Sequence, residues 1–389
     1  MRRQLVIAAI ATLLGGCGSP TPSGSAGPSG AAEPSVAVPV GWTRTLAPTF
    51  DGISTIGRLA AGPGGFVALA DFSAWRSPDG LTWTPVKQVG DQPRAILAPV
   101  GLGGRWIAGG WVEAPTASGS PAATGSTVSG TPAPPTPMSA TCPAGPIAIA
   151  QFSSSPDGAT WTIGPTDPSF RTYVVGQLAA DPGGTGTWAV GANSCAEGLE
   201  PRSMSWFSAD GLSWSARPTT SVDGLMTGIA AVGDRLVAVG ASTDDPGATG
   251  AQGLAWTMTP ASGTWSAATV IPGAAPLGQA YALDGTAYAI ARGVQPTVWS
   301  STDLTTWQAT AFPGNGPRML VAVNGSGGTW LAASASDGIY GLRPDGSWTR
   351  LAGATDKIEA LTMGPDGLLA IGLSADGHGV IWQGPTSRP

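Results

Sequence analysis

The sequence predicts an all-β protein, a seven-bladed β-propeller, on three observations. A short phrase ending in tryptophan, Ser-x-Asp-Gly-x-x-Trp, returns along the chain. A second hairpin, built of small residues around a Gly-rich turn, alternates with it. Composition agrees: 59 Gly, 36 Pro and 11% charged residues in 389 suit short strands joined by tight turns. No stretch beyond the N-terminus sustains a 3.6-residue apolar period over several turns.

The phrase reads Ser77-Pro78-Asp79-Gly80-Leu81-Thr82-Trp83, then Ser155 to Trp161 around Asp157, Ser208 to Trp214 around Asp210, and Ser301 to Trp307 around Asp303. Two copies are degenerate, Pro260 to Trp265 and Arg343 to Trp348, the latter retaining Asp345. Asp-Gly between β-rich runs is a hairpin signal, because Gly accepts φ > 0 and Asp bonds nearby backbone N–H groups. The Trp three residues after the Gly returns on the next strand with enough apolar area to pack on a neighbouring sheet. On these residues the chain resembles the Asp-box, or BNR-repeat, family, although that family's usual box has one more residue between Asp and Gly. The resemblance implies a β-propeller of the kind found in sialidases and photosystem assembly factors, and it specifies fold better than function.

The N-terminus reads as a targeting segment. Arg2 and Arg3 precede an apolar run from Leu5 to Leu14, too short to span a bilayer, and Leu14-Gly15-Gly16-Cys17 looks like a bacterial lipobox with Cys17 as the lipid anchor. An ordinary secretory signal with an incidental Cys is the alternative. Residues 1–17 are thus expected to be signal and lipobox, and residues 18–40 a disordered Ser/Pro/Gly tether. The propeller is expected over 41–384, with a tail at 385–389. The expected location is the extracytoplasmic face of the cell membrane.

The second hairpin has seven copies: Leu59 to Leu69, Ile96 to Gly109, Leu178 to Gly191, Ile229 to Gly240, Ala280 to Ile290, Val321 to Ala333 and Leu361 to Gly372. Small residues suit inner strands crowded around an axis. Inner hairpin plus outer hairpin makes four strands per repeat, and a radial array of such sheets is a propeller. The spacing agrees: Trp265, Trp307 and Trp348 lie 42 and 41 residues apart, and Trp161, Trp214 and Trp265 lie 53 and 51 apart. The seventh unit lacks a fourth strand after Gly379 to Gln383, whereas Val40 to Leu46 resembles a fourth strand without a blade. The N-terminal strand is therefore expected to complete the last blade, by pairing Trp42-Thr43-Arg44 with Val380-Ile381-Trp382, and to remove two sheet edges. Six or eight blades remain the alternatives.

The 78 residues from Trp83 to Trp161 include a Pro/Ser/Thr/Ala/Gly-rich tract, 113–145, which reads as a surface insertion. With Cys17 assigned to lipid, Cys142 and Cys195 remain as a candidate disulfide in an exported protein, or as two free thiols.

Chemistry is sparse. One histidine, no zinc spacing and no alternating calcium loop predict neither metal nor cofactor. A net charge of −6 with two lysines leaves no cationic footprint for nucleic acid. The tryptophans could stack on sugars, but repetition of Trp83, Trp161, Trp214, Trp265, Trp307 and Trp348 at one site in every blade is what packing requires. The non-repeated cations at the crossovers between blades are the candidate ligand-binding residues: Arg94, Arg171 and Arg318, with Arg58 and Lys357 close by. Crossovers line one mouth of a propeller's channel, a usual place for a ligand.

Two functions of different class follow. One is a non-catalytic, membrane-tethered, monomeric propeller that binds a protein, glycan or cell-wall component. The other, implied by the resemblance, is a sialidase-like glycoside hydrolase; that family clamps a carboxylate with three arginines and uses a tyrosine nucleophile with glutamate, plus an acid aspartate. The Arg-Ile-Pro phrase of that family's first blade is absent. Tyr281, Tyr288 and Tyr340 read as core; Tyr173 lies near a crossover without an evident glutamate partner.

Overall fold

The computed structural model describes residues 38–86, 100–113, 148–193, 202–218, 224–242, 250–291, 297–313, 316–325, 328–353 and 355–387, apart from Phe72, Gly103 and Thr166. Cys17, Cys142, Cys195 and Arg94 lie outside them.

The strands form seven separate four-stranded antiparallel sheets, as the repeats predict. In the first blade the order from the axis outward is Ile56–Gly62, Gly65–Ala70, Ser73–Ser77 and Thr84–Pro85. The other innermost strands are Val100–Leu102, Tyr173–Ala180, Leu225–Val232, Leu277–Leu283, Pro317–Gly325 and Lys357–Gly364. Successive innermost strands touch around the ring, including the first against the last, except that the third blade's innermost strand meets the second blade chiefly through Arg105–Glu113 and Ala148–Ser155. The approach is close enough to demand glycine: a Cβ on Gly62 would lie 2.8 Å from Gly101 Cα of the next blade.

The N-terminal strand closes the last blade as expected, but in a register two residues along from the expected one, so that Thr45 and Leu46 rather than Thr43 and Arg44 face Ile381 and Val380. Thr43–Leu46 is the outer strand of the seventh blade, paired antiparallel with Gly379–Gly384 in the register Arg44↔Trp382 and Thr45↔Ile381. Trp42 stands just outside the strand and packs edge-on against Trp382, with ring centroids 6.4 Å apart.

The repeated phrase behaves as its chemistry predicts. Ser77 Oγ accepts from Gly80 N at 2.8 Å, and Asp79 Oδ1 accepts from the Leu81 and Thr82 amides at 2.8 Å each. Trp83 Nε1 closes the turn by donating to Gly80 O at 3.1 Å. Asp157, Asp210 and Asp303 hold equivalent amide pairs. These bonds favour the ionised form: the Ser213 and Leu212 amides bring Asp210 down to about 2, and the Thr306 and Thr305 amides bring Asp303 lower still.

The box tryptophans cross to the preceding blade. Trp214 stacks on Phe152 of the second blade at 3.9 Å, and Trp265 Nε1 donates to Ser205 of the third at 3.0 Å. Box carbonyls also receive arginines from that blade: Arg76 Nε donates to Asp157 O at 2.6 Å, and Arg105 Nη1 to Asp210 O at 2.7 Å. The phrase thus builds a hairpin and fastens it to its neighbour.

Candidate functional site

In sheets with this strand order the crossovers lie at one end of the channel, and the boxes, which join third to fourth strands, lie at the other. Asp79, Asp157, Asp210, Asp303 and Asp345, with their tryptophans, are therefore remote from the crossover mouth.

Among the described residues, six innermost strands carry the same irregularity at the crossover end. Register slips by one residue between Ile56 and Arg58, Val175 and Gln177, Met226 and Gly228, Leu277 and Gln279, Pro317 and Met319, and Ile358 and Ala360. A bulge frees one residue from the ladder and re-aims its side chain. The skipped residues are Gly57, Gly176, Thr227, Gly278, Arg318 and Glu359. Four are small or merely hydroxylated; in the sixth and seventh blades the position carries opposite charges.

Those charges meet. Arg318 Nη1 pairs with Glu359 Oε2, and Lys357 Nζ lies 2.5 Å from Oε1 as an ion contact without hydrogen-bond alignment. The Glu359 carboxylate is 2% exposed, whereas Arg318 and Lys357 keep 27% and 40% of their side-chain surface open. One buried anion therefore holds two cations that still face solvent.

One residue deeper lie Arg58, Gln177 and Gln279, each directly after a bulge glycine. Gln279 Oε1 accepts from Arg58, and its amide nitrogen donates to the Tyr281 hydroxyl. Arg58 also bonds the Tyr281 hydroxyl. Gln177 Nε2 donates to Ala280 O at 2.7 Å, while its Oε1 accepts from Ala280 N at 3.1 Å and Ile229 N at 3.3 Å. This amide stitches the exposed edges of two innermost strands. Burial acts against the Arg58 cation and raises the Tyr281 hydroxyl's pKa.

Of the sequence-predicted cations, Arg58, Arg318 and Lys357 thus stand on innermost strands at one mouth. Arg171 does not join them: it is exposed and bridges Ile149 of the second blade's third strand, two strands out from the axis. Tyr281 packs against the core cluster around Ile290, Leu320 and Tyr340, as expected, while its hydroxyl reaches Gln279 and Arg58; Gln177, Gln279 and Glu359 are site residues absent from the sequence-based expectation. Their signal is the recurring Gly-polar pair, Gly57-Arg58, Gly176-Gln177 and Gly278-Gln279, at one repeat position. Tyr173 is half-buried beside Trp206 at 6.0 Å.

Among the described residues no group of three or more His, Cys, Asp or Glu could hold a metal, and no helix is long and apolar enough to cross a membrane.

The fold and mouth define a seven-bladed β-propeller with a polar, mostly cationic crossover end. No protein-family model matches the chain, and no curated protein does. A solved structure whose description names a gluconolactonase is similar at 15% identity over 61% of this chain and 84% of that one, with a TM-score of 0.38. At that level the likeness carries no argument about activity, and the architecture rests on this chain's own strand pairing.

Proposed function

We propose that this is a non-catalytic binding propeller, tethered to the outer face of a membrane through Cys17, that takes a glycan, protein or cell-wall ligand at the crossover mouth. The observation that carries this reading is the Arg318–Glu359–Lys357 group. In a chain of net charge −6, three cations (these two and Arg58) stand against one carboxylate on the innermost strands, and two of them remain open to solvent. Guanidinium and ammonium groups so placed favour a ligand bearing carboxylate or phosphate. The repeated Asp and Trp residues are occupied by turns and blade contacts. The lipobox phrase and the Ser/Pro/Gly stretch after it support the tether.

The sialidase-like reading gains one point, since Arg58, Tyr281, Arg318 and Glu359 all stand near this mouth. Their bonding speaks against it. The Tyr281 hydroxyl is taken up by Gln279 and Arg58 with its pKa raised by burial, and Glu359 is committed to two cations. These contacts support the non-catalytic reading over the sialidase-like one.

The test is a screen of the protein against sialosides and cell-wall glycan fragments, with Arg318→Ala and Lys357→Ala alongside. Binding weakened about tenfold or more by either substitution supports the reading. Binding indifferent to both overturns the site, and turnover of a sialoside overturns the non-catalytic assignment.

A further inference from the structure

We propose that Arg58 holds one small monovalent anion on the axis of the channel, a site distinct from the ligand mouth above it. The position comes from topology. Arg58 belongs to the first blade and its partners Gln279 and Tyr281 to the fifth, three blades away by the shorter path, the largest separation a ring of seven allows. A guanidinium joining those strands spans the axis.

The need for an anion comes from charge. Arg58's partners are an amide and a phenol, both neutral, and burial keeps that phenol protonated. The described carboxylate nearest in register, Glu359, is already engaged by Arg318 and Lys357. Among the described residues, then, the guanidinium is part-buried in the channel, bonded to two neutral groups and to no carboxylate, and a part-buried cation without a counter-charge favours taking up an anion. Its five N–H donors form a planar fork that accepts an anion readily.

Space and charge select the occupant. The Gln177 amide, bonded to Ala280, and the Arg58–Gln279 contact narrow the channel at this level. One cation between neutral walls balances one negative charge, whereas a phosphate dianion would leave an excess in a low-dielectric site. The shared chemistry is a compact monovalent anion, either halide or a small carboxylate.

Thermal melts of the full chain, at constant ionic strength with a bulky organic sulfonate as the balancing anion, test this with separate chloride, formate and phosphate arms. A saturable rise in Tm with chloride or formate, and none with phosphate, is expected; the arm with the lower half-saturation concentration identifies the occupant. Arg58→Gln should abolish the dependence and melt no lower than the wild type in sulfonate alone, because it removes an uncompensated charge. Arg318→Ala should keep the dependence, which separates this site from the proposed ligand mouth. Wild-type melts indifferent to both small anions would overturn the proposal, as would a folded Arg58→Gln protein that keeps the dependence or melts well below wild type in sulfonate. Anomalous scattering from bromide-soaked wild-type crystals decides independently of how the variant folds: a peak within hydrogen-bond reach of Arg58 supports the site, and its absence there overturns it.

Discussion

Arg44 and Asp356 lie 312 residues apart in the chain and form a two-point ion pair, Nε to Oδ2 at 2.9 Å and Nη2 to Oδ1 at 3.2 Å, that fastens the closing strand to the turn before the seventh innermost strand. The side chains are 9% and 1% exposed, and Trp382 Nε1 donates to the same Oδ2 at 2.7 Å. The ring therefore closes through backbone pairing and, inside it, through one shared carboxylate.

Removing that carboxylate should unfasten the ring. Asp356→Ala leaves Arg44 without this charge partner and the Trp382 indole without its acceptor, and breaking a buried pair on one side costs about 3–5 kcal/mol. Replacing both partners with apolar residues, Arg44→Met with Asp356→Leu, should recover much of the loss. Urea denaturation of the three proteins checks this; a single variant within 1 kcal/mol of wild type would show that the strand pairing alone closes the ring.

Acid should loosen the boxes. Asp210 titrates near 2 in the folded protein against an ordinary 3.8, because the Ser213 and Leu212 amides bond its ionised form. Asp79 and Asp157 are lowered by their Thr82 and Ala159 amides in the same way. A depressed folded pKa contributes stability that is fully present above the unfolded value and lost as pH falls through the folded one. The denaturant midpoint should therefore hold above pH 3.8 and fall towards about 2. Asp210→Asn should lower stability at neutral pH and flatten that slope; an unchanged slope would remove the box carboxylates from the acid response.

The fifth blade departs from the phrase at Leu304, which stands where the intact boxes have glycine. It keeps the positive φ, 66° against 78° at Gly80 and 75° at Gly158, and is 5% exposed in a cluster with Val237, Val239 and Trp307. A strained backbone of this kind costs about 1–3 kcal/mol, and a buried leucine's packing is worth about 2–5. Leu304→Gly should therefore destabilise by about 1–2 kcal/mol net, the packing loss exceeding the strain relieved. The converse, Gly158→Leu, has no room: even a Cβ would sit 3.0 Å from Trp106 Nε1 and 3.1 Å from Val67. It should cost more than the Leu304 change, and equal melting temperatures for the two variants would contradict this.

What the sequence made legible divides along the repeat. Anything every blade needs, such as the Asp79-Gly80 turn, the Trp83 contact and the unpaired strand before Leu46, recurs or is visibly missing, so pattern alone reveals it. The mouth is built from departures. Arg318 and Glu359 occupy a bulge position that other blades fill with Gly57, Gly176, Thr227 and Gly278, and bulges leave little trace in a period-two pattern. Pairings such as Arg58 with Gln279 and Tyr281 cross the ring, and no local spacing encodes which blades face each other. Arg171 shows the converse limit: a crossover residue by chain position can still lie two strands from the axis.

Glu359 should act on stability and binding with opposite signs. Its carboxylate is the internal anion for Arg318 and Lys357, so a ligand carboxylate or phosphate at the mouth must share those cations with it. In Glu359→Gln both cations lose their partner while the neutral amide keeps the volume. The protein should lose about 1–3 kcal/mol of stability, because two partly enclosed charges then repel without compensation. The same change removes the competitor, so affinity for an anionic glycan fragment should rise several-fold and become more sensitive to salt, as an uncompensated cationic pair would be. Arg318→Ala should lower both stability and affinity, so the pair of variants separates a structural ion pair from a ligand site. Calorimetric titration at two salt concentrations, with a denaturation curve for each protein, reads both quantities. Loss of affinity in Glu359→Gln comparable to that in Arg318→Ala would mean that the carboxylate itself contacts the ligand, and the assignment of Glu359 as the mouth's internal counter-ion would fall.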